Sequence, residues 1–133
     1  MKPKTPPITE AEWNLMNALW DENPLTASDL HQGLGKAQDW SLATVKTLLS
    51  RLVAKGALTT IKDGKRFLYR PAVTRAAAVK EEGRSLLKRA GKDASSPLIA
   101  YFMKQGKLGL DEIQSLRELL DDLESGQSKG GAR

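Results

Sequence analysis

The stretch Trp40-Ser41-Leu42-Ala43-Thr44-Val45-Lys46-Thr47-Leu48-Leu49-Ser50-Arg51-Leu52-Val53-Ala54-Lys55-Gly56 decides the fold. Ser41 is an N-cap residue whose hydroxyl accepts from a free backbone N–H of the first turn. Trp40 and Val45 stand at the positions of a hydrophobic staple. Lys55 followed by Gly56 supplies the stop. At about 100° per residue, Val45, Leu48, Leu49 and Leu52 line one face. Ala43, Lys46, Thr47, Ser50 and Ala54 lie opposite, with Thr44, Arg51 and Lys55 along a flank. This outer face is small, hydroxylated and basic, and it holds no carboxylate. Solvated helix faces ordinarily mix both charge signs through i,i+4 pairs. A face that lies on a polyanion, with its backbone close to base edges, calls for the composition found here. A basic surface helix without a partner is the alternative reading of these residues taken alone.

The residues that follow favour the first reading. Leu58 to Lys62 and Lys65 to Arg70 are β-prone runs separated by Asp63-Gly64, a hairpin signal that predicts a type I′ turn with both central residues at positive φ. Lys62, Lys65 and Arg66 make the tip cationic, and Pro71 ends the second strand. A helix with a basic outer face followed at once by a basic hairpin is the layout of a winged helix-turn-helix. In that layout the helix enters a major groove and the wing lies along phosphates.

Charge is concentrated where this reading needs it. From Ser41 to Pro71 there are seven basic residues against Asp63 alone, a local excess of +6, while the whole chain carries +5. The remainder is close to neutral. A basic field on a neutral scaffold is a nucleic-acid footprint. In 133 residues there is room for one or two small domains. No apolar run approaches the ~20 residues of a membrane span, and Met1 to Pro7 has no apolar signal segment. Membrane insertion and secretion are therefore not expected. The absence of cysteine excludes disulfides and thiolate metal sites and fits a cytoplasmic protein.

Elements on either side complete the layout. Residues 1–7 read as a disordered, Pro-rich lead. Thr9 and Glu12 form a capping box for a first helix whose stripe is Trp13, Met16 and Trp20, with Leu19 beside them. Asn23-Pro24 breaks that helix. Thr26 with Asp29 caps a shorter one holding Leu30 and Leu34, expected to stop within Gly33 to Gly35 and to give way to a loop of about five residues. Residues 8–72 thus form the winged-helix domain. Residues 73–124 form a helical domain: a connector from about Thr74 to Ala90, a turn from Gly91 to Pro97, a short apolar helix from Leu98 to Met103, and a last helix from Leu110 to Glu124. Residues 125–133 read as a disordered tail. The expected class is therefore mainly α with a small β-hairpin wing.

That helical domain cannot bury its own apolar surface. Leu98, Ile99, Phe102 and Met103, with Ile113, Leu116, Leu119, Leu120 and Leu123 at heptad-like spacing, are the expected interface of a two-fold homodimer. Packing against the chain's own N-terminal domain is the alternative.

Glu12-Trp13, Leu19-Trp20, Trp40-Ser41, Thr44-Val45, Thr47-Leu48-Leu49, Arg51-Leu52, Lys55-Gly56 and Phe67-Leu68-Tyr69 together resemble the penicillinase-repressor family (BlaI/MecI/CopY). The resemblance spans roughly Ile8 to Leu123. It implies a homodimeric bacterial repressor on a palindromic double-stranded operator upstream of resistance or stress genes. It maps base contacts onto Ala43, Thr44, Lys46 and Thr47, and phosphate contacts onto Ser41, Ser50, Arg51, Lys55, Lys62, Lys65 and Arg66. Lys46 then acts towards guanine, and Ala43 and Thr47 offer methyl groups to thymine. The copper-responsive branch of the family uses cysteine pairs that this chain lacks. In the β-lactam branch a membrane sensor protease cuts an Asn-Phe bond, and the matching position here is Tyr101-Phe102.

No enzyme is expected. His31, the single histidine, reads as a surface or capping residue. Glu81-Glu82 and Asp121-Asp122 read as solvated helix faces, and no phosphate loop, nucleophile motif or metal-ligand cluster is present, so no cofactor or metal is expected. The remaining competitor is a winged helix that binds protein without sequence-specific DNA binding.

Overall fold

Thr9 opens the first helix because its hydroxyl accepts the Glu12 N–H (3.3 Å) while the Glu12 carboxylate accepts that of Thr9 (2.9 Å). The computed structural model describes residues 7–91, 93, 95–106 and 108–129. The expected lead at 1–7 lies, apart from Pro7, outside them. Helix α1 (Glu10–Asp21) buries Glu12, Leu15, Met16 and Leu19. Trp13 and Trp20, expected in the core stripe, are only half-buried and meet each other at 5.9 Å between ring centroids. Leu15 takes the central place instead, one step round the helix.

A second capping box, Thr26 with Asp29 (both bonds 3.0 Å), starts α2 (Ala27–Leu30). The glycines do not stop this helix. It widens into a π-helical turn over His31–Gly35 and runs on to Ala37, so the expected five-residue loop shrinks to Gln38, Asp39 and Trp40. Two tertiary bonds explain the difference: Trp40 N–H donates to the Gly35 carbonyl (2.8 Å) and His31 Nε2–H to the Trp40 carbonyl (3.1 Å). Gly35 is required there, since a Cβ would meet the His31 ring at 2.8 Å.

The sheet has one strand more than a hairpin. β2 (Leu58–Asp63) pairs antiparallel with β3 (Arg66–Pro71), and the two-residue strand β1 (Leu25–Thr26) pairs with the other edge of β3, giving the order β1-β3-β2. β1 is too short to show alternation, and Thr26 doubles as a helix cap, so the sequence hides it. Asp63 and Arg66 face each other across the last rung, so Gly64 and Lys65 are the central turn residues. Gly64 has φ +65° and Lys65 is not at positive φ. The turn therefore follows the type II′ pattern, with glycine first, and not the type I′ pattern.

Helix α3 (Leu42–Ala54) lies across α1 and α2 and buries Val45, Leu48, Leu49 and Leu52. With Leu15, Met16, Leu19, Leu30 and Leu58 these form the core, and Trp40 packs half-buried against it, as the staple expects. One charged contact crosses this core. Glu12, fully buried, is bonded to Lys55 Nζ at the C-cap of α3, and the same ammonium donates to the Pro7 carbonyl (2.8 Å).

Three more helices follow: α4 (Arg75–Ala90), α5 (Ser95–Gln105) and α6 (Leu110–Lys129). Pro97, expected in a turn, sits in the first turn of α5, where its missing N–H costs no helical bond. Helix α6 passes its expected end at Glu124. Gly126, at a cost of about 1 kcal/mol, is too weak a breaker to end it, so the expected tail is helical to Lys129 and residues 130–133 lie outside the described residues. The chain divides into a compact unit ending at Leu86 and a second beginning at Leu87. Most of α4 thus belongs with the winged helix, where the sequence reading placed the boundary at 72/73. In the second unit α5 buries no residue, and Ile99, Phe102, Met103, Leu119, Leu120 and Leu123 are each more than half exposed.

Burial pushes the Glu12 carboxyl up, but hydrogen bonds from Lys55 and Thr9 and the Lys55 charge outweigh it and hold the group below its ordinary value. A group held down in the folded state stabilises above its unfolded pKa and loses that contribution as pH falls through the folded value. Lys55→Met, which leaves the carboxylate buried and unpaired, is expected to lower the unfolding free energy by about 3 kcal/mol at pH 7. In urea melts the gap to the parent should narrow as pH drops below about 4.3. A gap independent of pH would show that the charge is not what the pair supplies.

Candidate nucleic-acid interface

The start of α3 is built by Ser41, whose backbone is extended and whose Oγ accepts the Thr44 N–H (3.1 Å). The hydroxyls of Ser41 and Thr44 are themselves 3.0 Å apart. One turn later the Thr47 hydroxyl donates to the Ala43 carbonyl (3.0 Å). Thr47 is exposed, and its hydroxyl is turned back onto the helix. The polar groups of Ser41 and Thr47 are thus used to shape the helix, and Lys46 is left as the long donor among small neighbours.

Ala43, Thr44, Lys46, Thr47, Ser50 and Arg51 are all exposed, as is Ser41 before them. Ala43, Lys46, Thr47 and Ser50 lie opposite the buried leucines, and Thr44 and Arg51 run along one flank. Among the described residues no carboxylate pairs with Lys46, Arg51, Lys62 or Lys65. Lys62 and Lys65 are exposed on the wing. Arg66 is exposed too, but its Nε and Nη2 donate to Asp63 Oδ2 (3.3 and 3.0 Å). An exposed pair of this kind is weak, so it tethers the guanidinium at the turn without removing it from solvent.

Asp29 belongs to the same neighbourhood. Its carboxyl is held below its ordinary value by the Thr26 backbone N–H first and the Thr26 hydroxyl second, with the Arg66 charge adding a smaller pull against slight burial.

Lys55 is the exception among the expected phosphate contacts. Its side chain is 14% exposed and its ammonium is held by Glu12 and the Pro7 carbonyl. Freeing it for a phosphate would strand a buried carboxylate, so its position is structural. Sequence reasoning missed this because Glu12 and Lys55 stand 43 residues apart, and each already had a local explanation. It also missed His31 as the anchor of the chain entering α3. The ring nitrogen bonded to Trp40 ties α2 to the residue just before the N-cap.

Three helices on a small antiparallel sheet, an exposed α3 face free of carboxylates and a cationic two-stranded wing define a winged helix-turn-helix protein of the nucleic-acid-reading kind. Residues 8–122 match the family model described as "Penicillinase repressor", and the chain belongs to that family, whose members are transcriptional repressors and not enzymes. It is 29% identical over 119 residues to the penicillinase repressor of Bacillus licheniformis, covering 90% of this chain and 93% of that protein. It is 31% identical over 121 residues to the methicillin resistance regulatory protein MecI of Staphylococcus aureus (strain N315), covering 91% and 98%. The solution structure of the DNA binding domain of the repressor BlaI superposes with a TM-score of 0.51 at 33% identity, over 56% of this chain and 92% of that one.

Ser41→Ala should lower the unfolding free energy by about 1 kcal/mol, and Ser41→Asp, which keeps a capping oxygen, should restore it. The same Ser41→Asp chain should bind duplex more weakly than the parent, since it places a carboxylate on the cationic face. Urea melts and fluorescence anisotropy on one preparation separate the two effects.

Proposed function

We propose that this repressor acts in the cytoplasm as a homodimer that seats its two α3 helices in successive major grooves of a palindromic operator. The observation that carries the reading is the α3 face itself: exposed, small-residued, basic and without a carboxylate, with a cationic wing following it in the chain. Lys46 donates to a guanine edge, and Ala43 and Thr47 offer methyl groups to thymine. Thr44 lies on the same exposed turn and completes the base-reading set. Ser41, Ser50, Arg51, Lys62, Lys65 and Arg66 contact phosphates, which position the protein and give its affinity a salt dependence.

The apolar residues of α5 and α6 support the homodimer. Leu98, Ile113 and Leu116 are half-buried, while Ile99, Phe102, Met103, Leu119, Leu120 and Leu123 are exposed to a degree a lone soluble chain seldom sustains. A second copy offers the same stripe and a closed two-fold interface. Among the described residues no helix is long and apolar enough to cross a membrane. Release follows the β-lactam branch of the family, by cleavage at Tyr101–Phe102 through a membrane sensor protease. Tyr101, which lies outside the proposed interface set, is more than half exposed.

Footprinting on the DNA upstream of the protein's own gene should protect a palindrome. On that duplex Lys46→Ala is expected to cost about 1–3 kcal/mol, and on random duplex far less. Equal losses on both would remove Lys46 from base readout. Affinity that does not fall with salt would favour a protein-binding winged helix over a DNA reader.

Leu120→Glu with Leu123→Glu should give monomers by sedimentation and retain half-site binding. A parent chain that sediments as a monomer at micromolar concentration would overturn the dimer. An intact chain on a blot from β-lactam-treated cells with induced target genes would overturn the cleavage.

A further inference from the structure

The exit of the chain from the winged helix is held by contacts that DNA reading does not use. Trp20, near the end of α1, donates its indole Nε1–H to the Val73 carbonyl (3.0 Å). The Arg75 guanidinium lies over the Trp20 ring, 5.3 Å from its centroid. Its Nη2 donates to Asp21 Oδ1 (3.0 Å) and to the Asn17 carbonyl (3.3 Å). Trp13 backs the Trp20 ring from the other turn of α1. Helix α4 starts at Arg75 itself, with the Thr74 hydroxyl accepting the Ala77 N–H (3.1 Å). No residue of α4 is buried, so its root is tied to α1 by these contacts and not by a packed core. The unit that contains the winged helix nevertheless extends along α4 to Leu86.

We propose that Trp20, Asp21 and Arg75 form a latch that fixes the direction in which α4 leaves the winged helix, and that this direction sets the half-site spacing the homodimer accepts. The proposal rests on the palindrome-binding dimer argued above. Each contact is weak alone, as exposed ion pairs and cation–π contacts are. Three of them converge on one guanidinium, and the indole bond fixes the residue two positions earlier. The lever is long. The part of α4 within the first unit, Arg75 to Leu86, spans about 18 Å, so a tilt of about 10° at the root moves Leu86 by about 3 Å. That is comparable with the ~3.4 Å between successive base pairs. Arg75, Asp21 and Trp20 are therefore positioning residues: they touch no base, yet they decide which operator geometry fits.

The test uses the full chain and the footprinted upstream palindrome, the same duplex with base pairs inserted or deleted at its centre, and its isolated half-site. Exchange of the Trp20 indole N–H, read by NMR, reports the latch without DNA. Arg75→Ala is expected to speed that exchange, to leave half-site affinity within about twofold, to weaken the parent palindrome about tenfold and to flatten the spacing preference. Asp21→Asn, which keeps a hydrogen-bond acceptor and loses the charge, should fall between the two chains on each readout. The proposal is overturned if half-site and palindrome affinities fall together, or if the indole is freed and the spacing preference is unchanged. A parent chain that binds palindrome and half-site equally, whatever the spacing, overturns the dimeric reading itself and the latch with it.

Discussion

The winged helix depends on one buried charge pair. Glu12 stands in the first turn of α1 with no exposed surface, and its carboxylate is bonded to the ammonium of Lys55, which caps α3. Removing two charges from water is expensive, so the pair is poor evidence of net stability. Its consequence is geometric. A fully buried carboxylate is tolerable only where its partners stand in one place, and here they are the Thr9 N–H and the Lys55 ammonium, both on Oε1. Oε2 has no hydrogen bond among the described residues, so charge balance runs through a single oxygen. Any sliding of α3 along α1 would break it. The leucines of the core would accept several small shifts; the ion pair accepts one.

That constraint divides the lysines of α3 by task. Lys46 and Lys55 are the same side chain on the same helix, nine residues apart. Lys46 projects from the exposed face among Ala43, Thr47 and Ser50, while Lys55 is turned into the body to meet Glu12. The electrostatic field of the outer face therefore comes from Lys46 and Arg51, joined by Lys62 and Lys65 of the wing. Arg66 is partly neutralised by Asp63. The surface charge that reaches a polyanion is smaller than residue counting suggests, and it is held at better-defined positions.

How much of this was legible follows from distance along the chain. The capping boxes at Thr9/Glu12 and Thr26/Asp29, the Ser41 cap and the hairpin all rest on residues a few places apart, and each stands where its residues predict. The exposed face of α3 was legible too, because periodicity alone sorts its residues. What stayed hidden was tertiary. The Glu12–Lys55 pair, the β1–β3 pairing and the Trp20–Val73 bond join residues more than forty apart, with no pattern to announce them. The π-helical turn escaped for a related reason. Gly33 and Gly35 look like a stop until the His31 ring is placed over Gly35 and its nitrogen bound to Trp40. Local rules gave the wrong turn class at Gly64 because Asp63 is drawn into the strand to pair with Arg66.

The exposed apolar stripe of the second unit is the feature on which the proposed homodimer rests. On the proposed reading, one α3 with a few methyl contacts and one long donor would command little discrimination, since each base contact contributes only about 1–3 kcal/mol. Linking two such readers turns the second binding event into an intramolecular one, and the gain depends on whether the linkage spans the two sites. A linkage that hangs freely loses much of that gain, because its ends must be ordered on DNA. Within the first unit, Trp20, Asp21 and Arg75 hold the start of α4 against α1 as Glu12 and Lys55 hold α3.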